Sequence, residues 1–304
     1  MPDAIVYVCF TMDCESVGGD HGGPASWNLS ERAIRGYTEA VLAAGLGVTL
    51  FLMPQTAEKH AALLHELQRA GAGLAMHYHP QDLGYPEFLG AYTAAEQKHM
   101  LEEAQERWRQ ALGQAPQAFR AGNASANDMT FPTLVELGFR WGSCSIPRRN
   151  FPRVRAVWAG SPLDPYRAHP ANRLIPGNLD FIEIPVTVDW ESVMWGGLTP
   201  LELRVEMVDG RAHGFTIRKV YDRLNREQPL VKCLIAITHN IFDYTERSHF
   251  RRETLEEMIR HAKEEAPSRG LEAKAGTVQV IAEAYKRAEA VAQSPSSLTV
   301  SVPK

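Results

Sequence analysis

Short, nearly continuous apolar runs recur along the chain, and each stops abruptly at turn-forming or polar residues. Residues 4–10 lead into Thr11-Met12-Asp13-Cys14-Glu15, residues 48–53 into Pro54, residues 74–76 into His77-Tyr78-His79-Pro80, and residues 231–238 into His239-Asn240. Runs this short, with so many β-prone residues, read as strands buried on both faces of a parallel sheet. Helix signals separate them. Ser30 reads as the cap of a helix to about residue 44 with Gly45 past its end, and a helix over 56–70 follows. Thr93 caps a third, which carries Met100, Leu101, Trp108 and Leu112. This alternation predicts an α/β fold. Further on, helices are expected over 128–137, 200–226, 252–264 and 278–292, with a strand over 181–190. The proline- and arginine-rich stretch 147–177 yields no regular pattern. The expected organisation is one catalytic domain over residues 1–292 and a loose C-terminal tail over 293–304.

With 304 residues and 44% hydrophobic content, the chain can bury a core without disulfides. Its formal net charge of -4 gives no broad field for nucleic acid or an anionic membrane, so the expected partner is a small molecule or a saccharide. A homo-oligomer is left open. Cys9, Cys14, Cys144 and Cys233 show no Cys-x-x-Cys spacing and sit in apolar surroundings, as reduced, buried thiols do. Met1-Pro2-Asp3-Ala4 does not begin a signal peptide, and no apolar run is long enough to span a bilayer. A cytoplasmic location is the expectation.

His77 and His79 lie two residues apart at the end of an apparent strand. Side chains at i and i+2 share a face, so both imidazoles can reach one cation. A catalytic metal site then needs a carboxylate from elsewhere and an open position for water. Asp13 and Glu15, Arg120, Asp189 and His239 likewise fall at or just past strand ends. In α/β barrels and open α/β sheets that rim carries the active site.

Taken in order, Thr11-Met12-Asp13-Cys14-Glu15, Val48-Thr49-Leu50-Phe51, Met76-His77-Tyr78-His79-Pro80, Phe119-Arg120-Ala121-Gly122 and Ile237-Thr238-His239-Asn240 resemble the motifs of the polysaccharide deacetylase superfamily, carbohydrate esterase family four, the NodB-homology type. The resemblance spans most of residues 4–290. It implies a distorted (β/α) barrel, usually of seven strands, and a divalent metal used to hydrolyse an amide, most often the N-acetyl group of an amino sugar. The chain departs from the pattern twice. Cys14 separates the two acids that the family usually has adjacent, and Gln81 stands where the second histidine of His-x-x-x-His would be, so His79 takes that place. Both mark a divergent branch.

The resemblance assigns roles residue by residue. Glu15, His77 and His79 would hold one divalent ion, zinc first, with cobalt, nickel or manganese as alternatives. Asp13 would be the general base, although the two acids are interchangeable at this level. Arg120 would pair with Asp13, and His239 would act as general acid, oriented by Asp189 or Asp243. Trp190, Trp195 and Tyr85 are candidates for an aromatic wall against the substrate. Cys14 would point to the opposite strand face and serve in packing, and His21 reads as a solvated loop histidine. The function expected is a metal-dependent hydrolase of an amide C–N bond that deacetylates an amino sugar or saccharide precursor. The alternatives are a small-molecule amidase or cyclic imidase on the same fold, a non-haem iron oxygenase, and a non-catalytic carbohydrate-binding barrel.

Overall fold

Parallel strands need a crossover between them, and the first half of the chain supplies a helix for each. The computed structural model describes residues 4–19 and 22–293. His21 and the tail beyond Gln293 lie outside the described residues. The order is β1 (Ile5–Cys14), α1 (Trp27–Ala43), β2 (Gly47–Leu52), α2 (Pro54–Arg69), β3 (Gly73–Tyr78), α3 (Ala94–Leu112), β4 (Ala118–Ala121), α4 (Thr130–Glu136) and β5 (Trp141–Gly142). The stretch without sequence pattern forms a hairpin, β6 (Asn150–Phe151) with β7 (Ala156–Val157), and then β8 (Tyr166–Arg167). After β9 (Ile182–Glu183) comes a second hairpin, β10 (Val188–Met194) with β11 (Thr199–Glu202). The chain ends with α5 (Gly210–Glu227), β12 (Lys232–His239), α6 (Phe250–Glu264), β13 (Glu272–Ala275) and α7 (Val278–Gln293).

The main sheet runs β12-β1-β2-β3-β4-β5-β9-β8, with β13 branching from the lower half of β1. Every pairing from β12 to β9 is parallel, and the antiparallel β8 makes the path eight strands long where seven were expected. The sheet curls back on itself as a distorted barrel. Thr187 N donates to the Ile235 carbonyl at 3.0 Å, and residues 203–205 bond to Ile237 of β12 through two backbone hydrogen bonds.

Three sequence expectations are corrected. Helix α1 starts a turn earlier than Ser30: Ser26 is extended (φ -159°) and its side chain accepts from Leu29 N, the geometry of an N-cap. Ser30 is instead buried in the helix. The helix expected from residue 200 begins at Gly210, because Asp209 caps it by accepting from Ala212 N at 2.8 Å and the preceding residues pair as strands. The strand expected over 181–190 divides between β9 and β10 around Pro185, which has no N–H to continue a ladder.

Period-two alternation sorts the strands into two layers. Val6, Val8, Phe10, Met12 and Cys14 of β1 pack in the large core beneath the helices, and Cys14 is thereby a packing residue. Cys9, Phe51, Ala75, Ala118, Ile182 and Ile235 form a second cluster with Val278 and Ile281 of α7. The polar residues continue this second face toward the strand ends, Thr11 and Asp13 above Cys9, His77 above Ala75, Arg120 above Ala118. An apolar floor thus supports a charged rim. No described helix is long and apolar enough to cross a membrane.

Asn240 fastens the rim where β12 meets β1. Its Oδ1 accepts from Glu15 N (2.8 Å), and its Nδ2 donates to the Glu15 carbonyl (3.0 Å) and to Ser30 Oγ (2.8 Å). All of these groups are buried. Asn240→Ala would leave Glu15 N unpaired in the interior, while the Glu15 carbonyl keeps Thr56 Oγ1 at 2.9 Å, so it should lower the unfolding free energy by about 1–3 kcal/mol, read by urea denaturation.

Candidate active site

Strand register decides which side chains meet. On β1 and β12, Asp13 is paired with His239, and on β3 and β4, His77 is paired with Arg120. Glu15 follows one residue past β1 and His79 one residue past β3. All six lie at the same end of the barrel. Asp13, Glu15, His79, Arg120 and His239 line one cavity of about 130 Å³.

Glu15, His77 and His79 form the one cluster of at least three ligand-type side chains among the described residues whose donor atoms converge, all within 4.8 Å of one another. Glu15 Oε1 lies 3.1 Å from His77 Nε2 and 3.2 Å from His79 Nε2. His77 Nδ1 is 3.0 Å from the Arg120 carbonyl, which can only accept, so Nδ1 carries the hydrogen. In a neutral ring Nε2 then presents a lone pair to a carboxylate oxygen, so either a proton on Nε2 or a metal ion must lie between the two acceptors. The donor set therefore fits a divalent metal, two imidazoles and one carboxylate, with the backbone carbonyl fixing the His77 tautomer. The Asn123 side-chain amide is 3.4 Å from His79 Nδ1. Gly122 makes room for that ring: a Cβ there would lie 2.5 Å from three His79 ring atoms.

Asp13 is held by Arg120. Arg120 Nη1 donates to Asp13 Oδ1 (2.7 Å) and Thr11 Oγ1 (2.8 Å), while Nε and Nη2 donate to the Ser143 carbonyl and hydroxyl at 2.8 Å each. The guanidinium also lies 4.0 Å above the centre of the Phe51 ring. Burial alone would raise the Asp13 pKa, but Arg120, His77 and His239 outweigh it and hold the carboxyl below its ordinary value. Burial likewise opposes ionisation of Glu15, and His79 and His77 overcome it, pulling the pKa well down. The other Asp13 oxygen, Oδ2, lies 4.0 Å from His77 Nε2, beside the candidate metal position.

His239 is oriented by Glu206, a residue the sequence reading did not single out. Nδ1 is hydrogen-bonded to Glu206 Oε1, leaving Nε2 for the cavity. Burial would lower the His239 pKa, but Glu206 reverses this and raises it. The two acids expected in that role are elsewhere. Asp189 is paired with Lys219 at 2.5 Å and Asp243 with Arg32 at 2.6 Å. Behind His239 stands a second charged layer. Glu202, fully buried, accepts from Arg149 Nη2 through Oε1 and from Arg204 Nε through Oε2, and Arg204 Nη1 is 3.5 Å from His239 Nε2.

Of the three aromatic residues expected against the substrate, Trp195 lines the cavity and the others do not. Tyr85 donates to Glu103 Oε2 at 3.2 Å on the outer surface, and Trp190 packs under Lys219 and Arg223. Arg149, Arg204 and Glu206 were missed because they lie in segments misread as patternless or helical. Leu203 and Val205 alternating with Glu202, Arg204 and Glu206 was the available strand signal.

The polysaccharide deacetylase family model matches residues 35–142. No curated protein matches the chain by sequence. Among solved structures, it is similar to a protein from Mycobacterium smegmatis assigned to the polysaccharide deacetylases, with 18% identity over 100% of this chain and 96% of the other and a TM-score of 0.60. A counterpart from Pseudomonas aeruginosa PAO1 shares 16% identity over 93% of this chain and 91% of the other, at TM-score 0.60. An allantoinase shares 17% identity over 94% and 92%, at TM-score 0.59. At such identities the three show a common fold. The family match over residues 35–142, the shared fold and the ordered strand-end motifs agree in their likeness to the polysaccharide deacetylases.

Proposed function

We propose that this protein is a metal-dependent hydrolase of a non-peptide amide C–N bond, acting on an N-acetylated amino sugar or a saccharide precursor. The observation that carries this reading is the convergence of Glu15, His77 and His79 on one point, flanked by Asp13 and His239 from neighbouring strand ends. A divalent ion held by those three would polarise the amide carbonyl and acidify a water. Asp13, ionised against Arg120, takes a proton from the attacking water. His239 gives a proton from Nε2 to the departing nitrogen, and Glu206 on Nδ1 keeps the imidazolium stable and correctly turned.

A small-molecule amidase or imidase is the second reading, favoured by the cavity itself. At about 130 Å³ it is well below the ~300–1,000 Å³ of drug-sized ligand sites. Acetate release from acetamido compounds separates this reading from ring opening.

Elemental analysis of protein purified without a metal-affinity tag should find about one divalent ion per chain. His77→Ala and His79→Ala should each lose it. Metal retained in both variants would overturn the ligand set. His239→Ala should keep the metal and lose roughly 10²–10⁴-fold in turnover.

The pH dependence tests Glu206. A general acid works only while protonated, so activity falls as pH rises through the His239 pKa. Glu206 raises that pKa. Glu206→Gln should therefore move the alkaline limb of the kcat profile to lower pH, and an unmoved limb would remove Glu206 from this role.

A further inference from the structure

The cavity is lined by two arginines that the hydrolysis of a neutral amide does not use. Arg120 is fully occupied with Asp13, Thr11 and Ser143. Arg149 and Arg204 also line the cavity, and neither touches the Glu15–His77–His79 cluster through a hydrogen bond. Both are anchored from behind by Glu202, with Arg149 Nη1 also donating to the Asn123 carbonyl at 3.1 Å. That anchoring leaves donors unused. Arg149 is 95% buried, and its Nε has no partner. Arg204 Nη1 has only long contacts, 3.5 Å to His239 Nε2 and 3.7 Å to Glu206 Oε1.

Charge balance points the same way. Arg120, Arg149 and Arg204 stand against Asp13, Glu15, Glu202 and Glu206, so the bare site carries one net negative charge. A divalent ion at Glu15, His77 and His79 turns this to one net positive charge, and protonated His239 adds another. Burial drags the Arg149 pKa below its ordinary value, Glu202 opposes this, and Arg204 beside it adds to the lowering, two cations sharing one acid. Forked guanidinium donors recognise planar carboxylates.

We infer that the substrate is a small anionic amide whose carboxylate, carried on the amine side of the scissile bond, is bound by Arg149 and Arg204. The side follows from Arg204 lying against His239, the group assigned to protonate the departing nitrogen. This deepens the amide-hydrolase reading and rests on it for the orientation. Water oxygen bonds to the acyl carbon, the C–N bond breaks, and the water proton ends on nitrogen, giving a carboxylic acid and an amino acid. Trp195 lies at the edge of the same cavity with half its surface exposed, at φ 48°, followed by Gly196 and Gly197 at φ 67° and 95°.

The test uses zinc-loaded protein and two matched pairs: 2-acetamido-2-deoxygluconate against N-acetylglucosamine, and N-acetylalanine against N-acetylalaninamide. Hydrolysis is followed by amine release. Binding is measured separately by calorimetry with the deacetylated sugars, glucosaminate and glucosamine, which cannot turn over. The expected result is at least 100-fold higher kcat/KM for the anionic member of one pair or both, and at least 10-fold tighter binding of glucosaminate. Arg149→Gln and Arg204→Gln should collapse that binding ratio, and Arg204→Lys, which keeps the charge opposite Glu202, should restore part of it. Circular dichroism establishes that each variant is folded. Equal turnover of neutral and anionic members would overturn the anion site and leave amide hydrolysis standing. Preferential glucosaminate binding that needs both arginines, without hydrolysis of any compound, would support the anion site and overturn the amide reading. Equal binding without hydrolysis would overturn both.

Discussion

Two carboxylates buried at the end of one strand, Asp13 and Glu15, set the terms for the rest of this structure. A carboxylate removed from water must be paired, hydrogen-bonded or protonated. Both are nearly inaccessible, and both are held ionised by neighbours on other strands. Asp13 takes the guanidinium of Arg120 and Glu15 takes two imidazoles, so β1, β3 and β4 are tied together by charge where their ladders end. Asn240 adds β12 through the backbone of Glu15. The rim is an electrostatic knot on an apolar stem, and the stem explains its strength: Phe51 beneath Arg120 and α7 beneath Phe51 exclude the water that would screen it.

A second layer repeats the arrangement with the signs exchanged. Around Asp13 and Glu15, cations converge on acids. Around Glu202, a fully buried acid serves to position two cations, Arg149 from the stretch before β6 and Arg204 from the segment after β11. Truncating one partner of such a layer leaves an uncompensated buried charge, typically costing about 3–5 kcal/mol. The two layers meet at His239, which has Glu206 on one ring nitrogen and Arg204 near the other. Its imidazole is one point at which a change in the second layer reaches the first, and Asn123, between Arg149 and His79, is another.

How much of this the sequence revealed follows from the range of the forces involved. The strand ends carrying Asp13, Glu15, His77, His79, Arg120 and His239 were legible because each is a local pattern, an apolar run that stops at a polar residue. Parallel pairing then made them converge. Glu206, Arg149 and Arg204 were not legible in the same way. They belong to short strands and loops held by contacts distant in sequence, such as Asn150 N to the Leu198 carbonyl and residues 203–205 on Ile237. Propensity reads such segments poorly, and helix-compatible residues around 200–209 pointed to the wrong element. Pro185 was read through as part of one strand over 181–190, and the turn toward β12 that it permits depends on Thr187 bonding to Ile235.

The spacing of the two histidines has a structural consequence beyond their identity. At i and i+2 both rings project from one face of an extended segment, and they stand edge to face with centroids 5.0 Å apart. His79 is still extended (φ -112°, ψ 114°), and Pro80 opens the following turn. Gln81 therefore falls in a different local geometry from either histidine. Keeping the second imidazole on the strand brings it against the end of β4, where a side chain at position 122 would occupy the same space. His79 and Gly122 consequently form one unit: the short histidine spacing is sterically compatible with this barrel because the residue that follows the neighbouring strand has no Cβ.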